Sequence, residues 1–383
     1  MTAYLDSAAT TRVDPRVAEV VLHWMTTEFG NAGSRTHDWG TRAKRAVQQA
    51  REQLAGQLNA GPPELVFTSG ATESNNIALL GLAPYGEDQG RRHIISSTIE
   101  HKAVLEPLEH LASRGFEIDL ISPGPSGRVS AEAVRDRLRE DTLLVSLMHV
   151  NNETGVIQPV AELAEHLRDT PTYLHVDAAQ GFGKLTQDLT APIDLISVSG
   201  HKVGAPKGVG TLLIRRRGRD TLPLTPLMYG GGQERKLRPG TLPVPLIAGL
   251  AKAAEIFENE HQQWWERAAA FRARLVEGLG KTQVQFNGDQ EHVVPHILNL
   301  SFEGVDAEAL IVRLKELVGI ATGSACTSAS YTPSHVLRSM GLPDDIASNG
   351  LRLSWFPDQV EGLDVNELVS EISDFQREAS YFA

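Results

Sequence analysis

The 383-residue sequence contains one cysteine, Cys326. A single thiol excludes an intramolecular disulfide and any metal site built from several cysteines. No apolar run approaches the roughly 18 residues of a membrane-spanning helix, so no membrane association is expected. The opening residues Met1-Thr-Ala-Tyr-Leu-Asp6 lack the basic and apolar regions of an export signal, which points to a cytoplasmic protein. Positive charge is scarce as well: 36 Lys and Arg against 48 Asp and Glu leave a formal charge of −12. That balance argues against direct nucleic-acid binding, which relies on cations to neutralise phosphates. The local run Arg215-Arg-Arg217 with Arg219 is an exception in composition, yet such a run is more often a solvated strand end. Internal repeats and low-complexity tracts are also missing.

What is present is ordinary for a globular chain, with 41% hydrophobic and 22% charged residues. The length exceeds what one hydrophobic core usually serves, so two domains are expected. Short apolar runs at Leu65–Thr68, His93–Ser97, Glu117–Ile121, Leu143–His149, Tyr173–Val176, Leu195–Ser197 and Thr211–Ile214 read as strands. Helical periods such as Ala131–Glu140 and Val160–Arg168 separate them. That alternation predicts an α/β fold with a mostly parallel sheet in a large domain. A long helical pattern follows over Leu246–Leu279, then strands at Val284–Asn287, Ile297–Phe302 and Leu351–Ser354 and a helix near Ala307–Val318. These predict a smaller α+β C-terminal domain, closed by the first dozen residues. The expected boundaries are 13–254 for the large domain, and 1–12 with 255–383 for the small one.

Three segments carry chemistry. Ser197-Val-Ser-Gly-His-Lys202 places a lysine at the end of a buried strand. Desolvation there favours the neutral, nucleophilic amine that Schiff-base chemistry needs, although a snorkelling lysine has the same local sequence. Upstream, Thr172-Tyr-Leu-His-Val-Asp-Ala-Ala-Gln180 ends a second strand in Asp177. A carboxylate at that place can face the pyridine nitrogen of pyridoxal 5'-phosphate (PLP), or can simply cap a helix. Third, Glu64-Leu-Val-Phe-Thr-Ser-Gly-Ala-Thr-Glu-Ser-Asn-Asn76 runs from a strand through Gly70 into a helix. Its amides and hydroxyls suit a phosphate dianion, although Thr72 also resembles an ordinary helix cap.

These motifs, together with Tyr4-Leu-Asp-Ser-Ala-Ala-Thr-Thr11, Phe29-Gly-Asn31, Glu100-His-Lys-Ala103 and His149-Val-Asn-Asn-Glu-Thr-Gly155, resemble those of the cysteine desulfurases of the NifS/IscS type. Gly230-Gly-Gly-Gln-Glu-Arg235, Pro239-Gly-Thr-Leu-Pro243 and Gly323-Ser-Ala-Cys-Thr-Ser328 continue the resemblance in the same order. It implies the aspartate-aminotransferase-like PLP fold (fold type I), PLP as cofactor and a homodimer. It further implies that L-cysteine is converted to L-alanine while sulfur passes to Cys326 as a persulfide, and from there to an acceptor protein.

Roles carry over residue by residue. Lys202 binds the cofactor aldehyde and acts at the substrate Cα, while His101 stacks on the ring and shuttles protons. Asp177 meets the ring nitrogen, Gln180 the phenolic oxygen, and Asn152 that oxygen or the substrate carboxylate. Ala71, Thr72, Ser199 and His201 hold the phosphate, with Thr241 reaching across the dimer interface. Arg352 grips the substrate carboxylate, and Cys326 is the nucleophile toward sulfur. No metal is implied.

Trp355-Phe-Pro357 and Tyr331-Thr-Pro333 differ from the residues the family leads one to expect there. The iron–sulfur members also carry a longer C-terminal extension than Gln376–Ala383 provides. The resemblance to the phosphorothioation members of the family implies DNA phosphorothioation as the destination of the sulfur. Iron–sulfur cluster assembly on another scaffold, tRNA thiolation and a selenocysteine lyase are the alternatives.

Overall fold

The computed structural model describes residues 2–323 and 333–382. Cys326 and the Tyr331-Thr332 pair lie outside the described residues. Seven strands form the central sheet, in the order Leu65–Thr68, Gly210–Ile214, Leu195–Ser199, Tyr173–Asp177, Thr142–Met148, His93–Ser97 and Glu117–Ile121. Every position is buried in five of the seven, the exceptions being Tyr173–Asp177 and the edge strand Glu117–Ile121. Continuous apolar runs are what a sheet covered on both faces requires. Ile95 and Val145 belong to one core cluster while their neighbours Ile94 and Leu144 belong to another, the two-residue alternation of a strand placed between helices. Each such side chain, fully buried, contributes roughly 1.5–3 kcal/mol.

Gly210–Ile214 departs from the parallel expectation. It pairs antiparallel with both neighbours, through Ser199↔Gly210 on one side and Thr68↔Gly210 on the other. The remaining four pairings are parallel. Only a short helical turn, Gly200–Lys202, lies between Ser199 and Gly210. A parallel crossover usually needs a dozen or more residues, so the chain simply folds back.

A second core gathers Leu5, Phe271, Leu279, Leu300, Leu353, Trp355 and Ile372. Its antiparallel sheet runs Ala321–Thr322, Leu351–Ser354, Ile297–Phe302 and Val284–Phe286. The helix Val244–Leu279 extends from the first core, at Ile247 and Phe257, to the second, at Phe271 and Leu279. Two expected helices are shorter than their sequence periods. The first covers Ala131–Arg135, and the second stops at Leu314 because Val318–Gly319 pairs in parallel with Ala3–Tyr4. Tertiary pairing there overrides local helical propensity.

Candidate active site

The parallel strands end at one edge of the sheet, and the segments there carry most of the expected residues, while Arg352 comes from the strand Leu351–Ser354 of the smaller sheet. Ten of these line a single cleft of about 510 Å³: Ala71, Thr72, His101, Asn152, Asp177, Gln180, Ser199, His201, Lys202 and Arg352. Thr241 is exposed and lies outside the cleft of its own chain. Cys326 falls outside the described residues.

Lys202 closes the turn after Ser199 and turns its amine toward the N-terminal segment. Its Nζ donates to the carbonyls of Ala8 and Ala9 at 2.5 and 2.6 Å. Gln180 Nε2 donates to the same Ala8 carbonyl at 2.8 Å, and its buried Oε1 has no partner among the described residues. The Ala8-Ala9 segment is thus an active-site wall. The sequence marks it as part of a motif but not as a contact.

Asp177 is the last residue of its strand and is only 6% exposed. Asn75 Nδ2 donates to its Oδ2 at 2.7 Å, and the Ala179 amide donates to Oδ1 at 3.0 Å. The carboxylate is therefore fixed before any ligand arrives. Sequence reasoning missed Asn75, since its partner is 102 positions away.

Gly70 precedes the helix Ala71–Gln89 with φ of 151°, a backbone region that favours glycine. This lets the chain turn sharply, so that the first amides of a 19-residue helix face the cleft beside Ser199. Free N–H groups and the positive helix end make an anion cradle. His201 borders it, with Nδ1 3.2 Å from Thr10 Oγ1. Burial, then the nearby Lys202 and Lys207, push its pKa down to about 4, so the ring is neutral at physiological pH.

His101 caps the helix Lys102–Ser113: the Ala103 amide donates to its Nδ1 at 3.0 Å. An accepting Nδ1 leaves the ring proton on Nε2. Burial holds the pKa below its ordinary value, with Asp177 opposing and Lys202 adding to the shift. Arg352 is 1% exposed and donates to Asp6 Oδ1 at 2.7 Å and to the Asn152 carbonyl at 3.0 Å. Its Nε has no partner among the described residues. Asp6, not singled out in the sequence, thus orients the guanidinium from the N-terminal segment.

The donor set fits a phosphorylated pyridine aldehyde. An amine, a preset carboxylate, an unpartnered Gln180 oxygen and an anion cradle converge with a neutral imidazole. No helix among the described residues is long and apolar enough to cross a membrane, and no group of three or more His, Cys, Asp or Glu there is arranged to hold a metal.

Comparisons with known proteins converge. The aminotransferase class-V family matches residues 3–365. Cysteine desulfurase IscS from Vibrio cholerae is 47% identical over 356 residues, which cover 92% of this chain and 87% of that protein. The crystal structure of DndA from Streptomyces lividans is 69% identical, with a TM-score of 0.82, covering 92% of this chain and 99% of that one. A NifS-like protein superposes with a TM-score of 0.89 at 36% identity, over 98% of this chain and all (100%) of that one.

Proposed function

The chain belongs to the aminotransferase class-V family and is a PLP-dependent cysteine desulfurase, and we propose that it supplies sulfur for DNA phosphorothioation by way of a persulfide on Cys326. The convergence of Lys202, Asp177, His101 and Arg352 in one cleft carries the catalytic part of this reading. The pathway is supported by 69% identity to DndA, against 47% to IscS.

PLP, when bound, supplies an electron sink that makes the substrate Cα–H acidic and activates the Cβ–Sγ bond. The chain's own groups supply the rest. Lys202, whose Nζ rests on the Ala8 and Ala9 carbonyls, would hold the cofactor through its amine and would carry the Cα proton of the substrate. Asp177, held by Asn75 and Ala179, would face the ring nitrogen with its carboxyl group. Ser199, His201, Thr72 and the Ala71 amide hold the phosphate, joined by Thr241 of the partner copy in a homodimer. Gln180 and Asn152 meet the phenolic oxygen through polar atoms on the cleft wall. Arg352 binds the carboxylate of L-cysteine with its remaining N–H groups. His101, neutral with its proton on Nε2, would donate from that nitrogen to the reacting sulfur or nitrogen atoms.

Cys326 attacks Sγ as a thiolate, so the S–S bond of the persulfide forms while Cβ–Sγ breaks. The Cβ electron pair takes a proton, and L-alanine leaves. We assign residues 13–254 to the cofactor-binding domain, and residues 1–12 and 255–383 to the smaller one.

The test is a paired assay of the cofactor-loaded enzyme with L-cysteine. It follows alanine release and the mass of the Cys326 peptide. Alanine together with a gain of one sulfur atom is expected, and Cys326→Ala should lose both while keeping the cofactor. Alanine without the mass gain refutes the persulfide route. For the pathway, cells carrying Cys326→Ala in place of the native chain should lack phosphorothioate in their DNA. Phosphorothioate at the normal level would overturn that assignment.

A further inference from the structure

The turn that brings Asn152 to the cleft also carries Glu153, whose side chain has no part in the chemistry above. Glu153 is 3% exposed, and no cation pairs with it among the described residues. Ser334 Oγ donates to its Oε2 at 2.6 Å. The same Ser334 oxygen accepts from the Leu337 amide at 3.1 Å, capping the helix His335–Ser339. Gly323 lies close to Glu153 Oε2 as well. A Cβ built there would sit 2.5 Å from Oε2 and 3.1 Å from Cδ, so a side chain at 323 would press on the Glu153 carboxyl group. Gly323 follows Ala321–Thr322, which pairs with Arg352 and Leu351.

One carboxylate therefore touches both chain ends that flank Cys326. The turn beneath it is itself fixed. Asn151 Oδ1 accepts from the amides of Glu153 and Thr154, both at 2.9 Å, and Asn151 Nδ2 donates to the Ile99 carbonyl at 3.1 Å. Asn299 Nδ2 donates to the Glu153 carbonyl at 3.2 Å from the second core's sheet. A buried, desolvated carboxylate makes a strong hydrogen bond to a hydroxyl, and losing one partner leaves the other unsatisfied. Cys326 is three residues beyond Gly323, so covalent geometry keeps the two Cα atoms within about 11 Å. The place of Gly323 beside Glu153 thus bounds how far away Cys326 can lie.

We propose that Glu153 is a positioning residue whose carboxyl group anchors Ser334 by a hydrogen bond and packs beside Gly323, so that the two stems of the segment carrying Cys326 are placed against the active-site turn. Its catalytic consequence rests on the persulfide reading given above; its structural consequence does not. Glu153 sets the presentation of Cys326 without touching substrate or cofactor.

Cys326 is the single cysteine, so alkylation by iodoacetamide reports this segment alone and needs no turnover. The cofactor-loaded enzyme is compared with Glu153→Gln, Ser334→Ala and the double variant. Each single variant should alkylate faster, by about threefold or more, and form persulfide about tenfold more slowly in a single turnover. The double variant should match the worse single one, because both break one contact. The visible absorbance of the lysine-bound cofactor, and its response to L-cysteine, should be unchanged. Unchanged or slower alkylation would overturn the proposal, as would additive losses accompanied by loss of cofactor absorbance. If the native enzyme forms no persulfide, the persulfide reading falls and the alkylation comparison still decides the role of Glu153.

Discussion

Replacing Lys184 by methionine should stabilise this protein, and the gain should depend on pH in a defined sense. Lys184 is fully buried, at 0% exposure, and its Nζ makes no hydrogen bond among the described residues. The ammonium position lies 5.8 Å from the Phe356 ring centroid. Its near neighbour His296 is also fully buried, with both ring nitrogens unpartnered and its pKa well below the ordinary value through burial. Burial, and to a lesser degree the charge on Lys202, push the Lys184 pKa from 10.5 down to about 7. Such a shift costs the fold about 5 kcal/mol where both states are protonated.

Between pH 7 and 10.5 the unfolded lysine holds a proton that the native one has lost, so stability rises with pH. The penalty is whole below about pH 7 and gone above about pH 10.5. Worked through, it amounts to about 4 kcal/mol at about pH 7.5 and about 1 kcal/mol at about pH 9.5. Methionine fills a similar volume without the charge and adapts to irregular space. Urea denaturation of native and Lys184→Met protein, both cofactor-loaded, should show the variant ahead at the lower pH by a few kcal/mol. The difference should shrink by about 2–3 kcal/mol at the higher pH. A variant destabilised equally at both would refute the reasoning, for it would mean that the native amine is charged and paired.

Two further outcomes follow from the cleft and its margin. Arg352→Lys loses the planar fork, and with it a charge-assisted contact of about 1.5–3 kcal/mol, so the KM for L-cysteine should rise by about 10-fold to 100-fold with a smaller change in kcat; steady-state alanine release measures this, and an unchanged KM would remove Arg352 from substrate binding. Glu100 is fully buried, and burial raises its pKa from 4.5 to about 8 against the opposing hydrogen bonds from Ser97 and the Met148 amide. The native state thus keeps a proton between pH 4.5 and about 8 that the unfolded state releases, and stability falls as pH rises through that window. Glu100→Gln should therefore gain on the native protein from about pH 5 to about pH 8 in thermal denaturation; a constant difference would show that Glu100 is ionised in the fold.

Much of this molecule is legible in its sequence, for a specific reason. Strands covered on both faces must be apolar throughout, so Leu195–Ser199 and Thr142–Met148 announce themselves without alternation. The loops at their carboxyl ends carry residue types rare at a buried sheet edge, which is why Asp177 and Lys202 stand out from the amino-acid pattern alone. The reversed strand Gly210–Ile214 is decidable too, because the link from Ser199 is too short for a crossover. By contrast, the helix expected over Ala307–Val318 ends at Leu314 on account of a strand at the other end of the chain, Ala3–Tyr4.

The partners that set the chemistry are not legible, and distance along the chain explains it. A motif records the residue that meets a ligand, because the ligand constrains its type. The group that orients that residue is constrained only by the fold. Asn75 reaches Asp177 across 102 positions, Ser334 reaches Glu153 across 181, and Asp6 reaches Arg352 across 346. Asn, Ser and Asp are all common in turns and caps, so each has an adequate local reason to be where it is. Asn75 lies in the first turns of the helix Ala71–Gln89, and Ser334 does cap one. A local explanation that is true therefore hides a long-range one that is also true. The second becomes visible only when two carboxylates, Asp177 and Glu153, are found buried with those side chains as their donors.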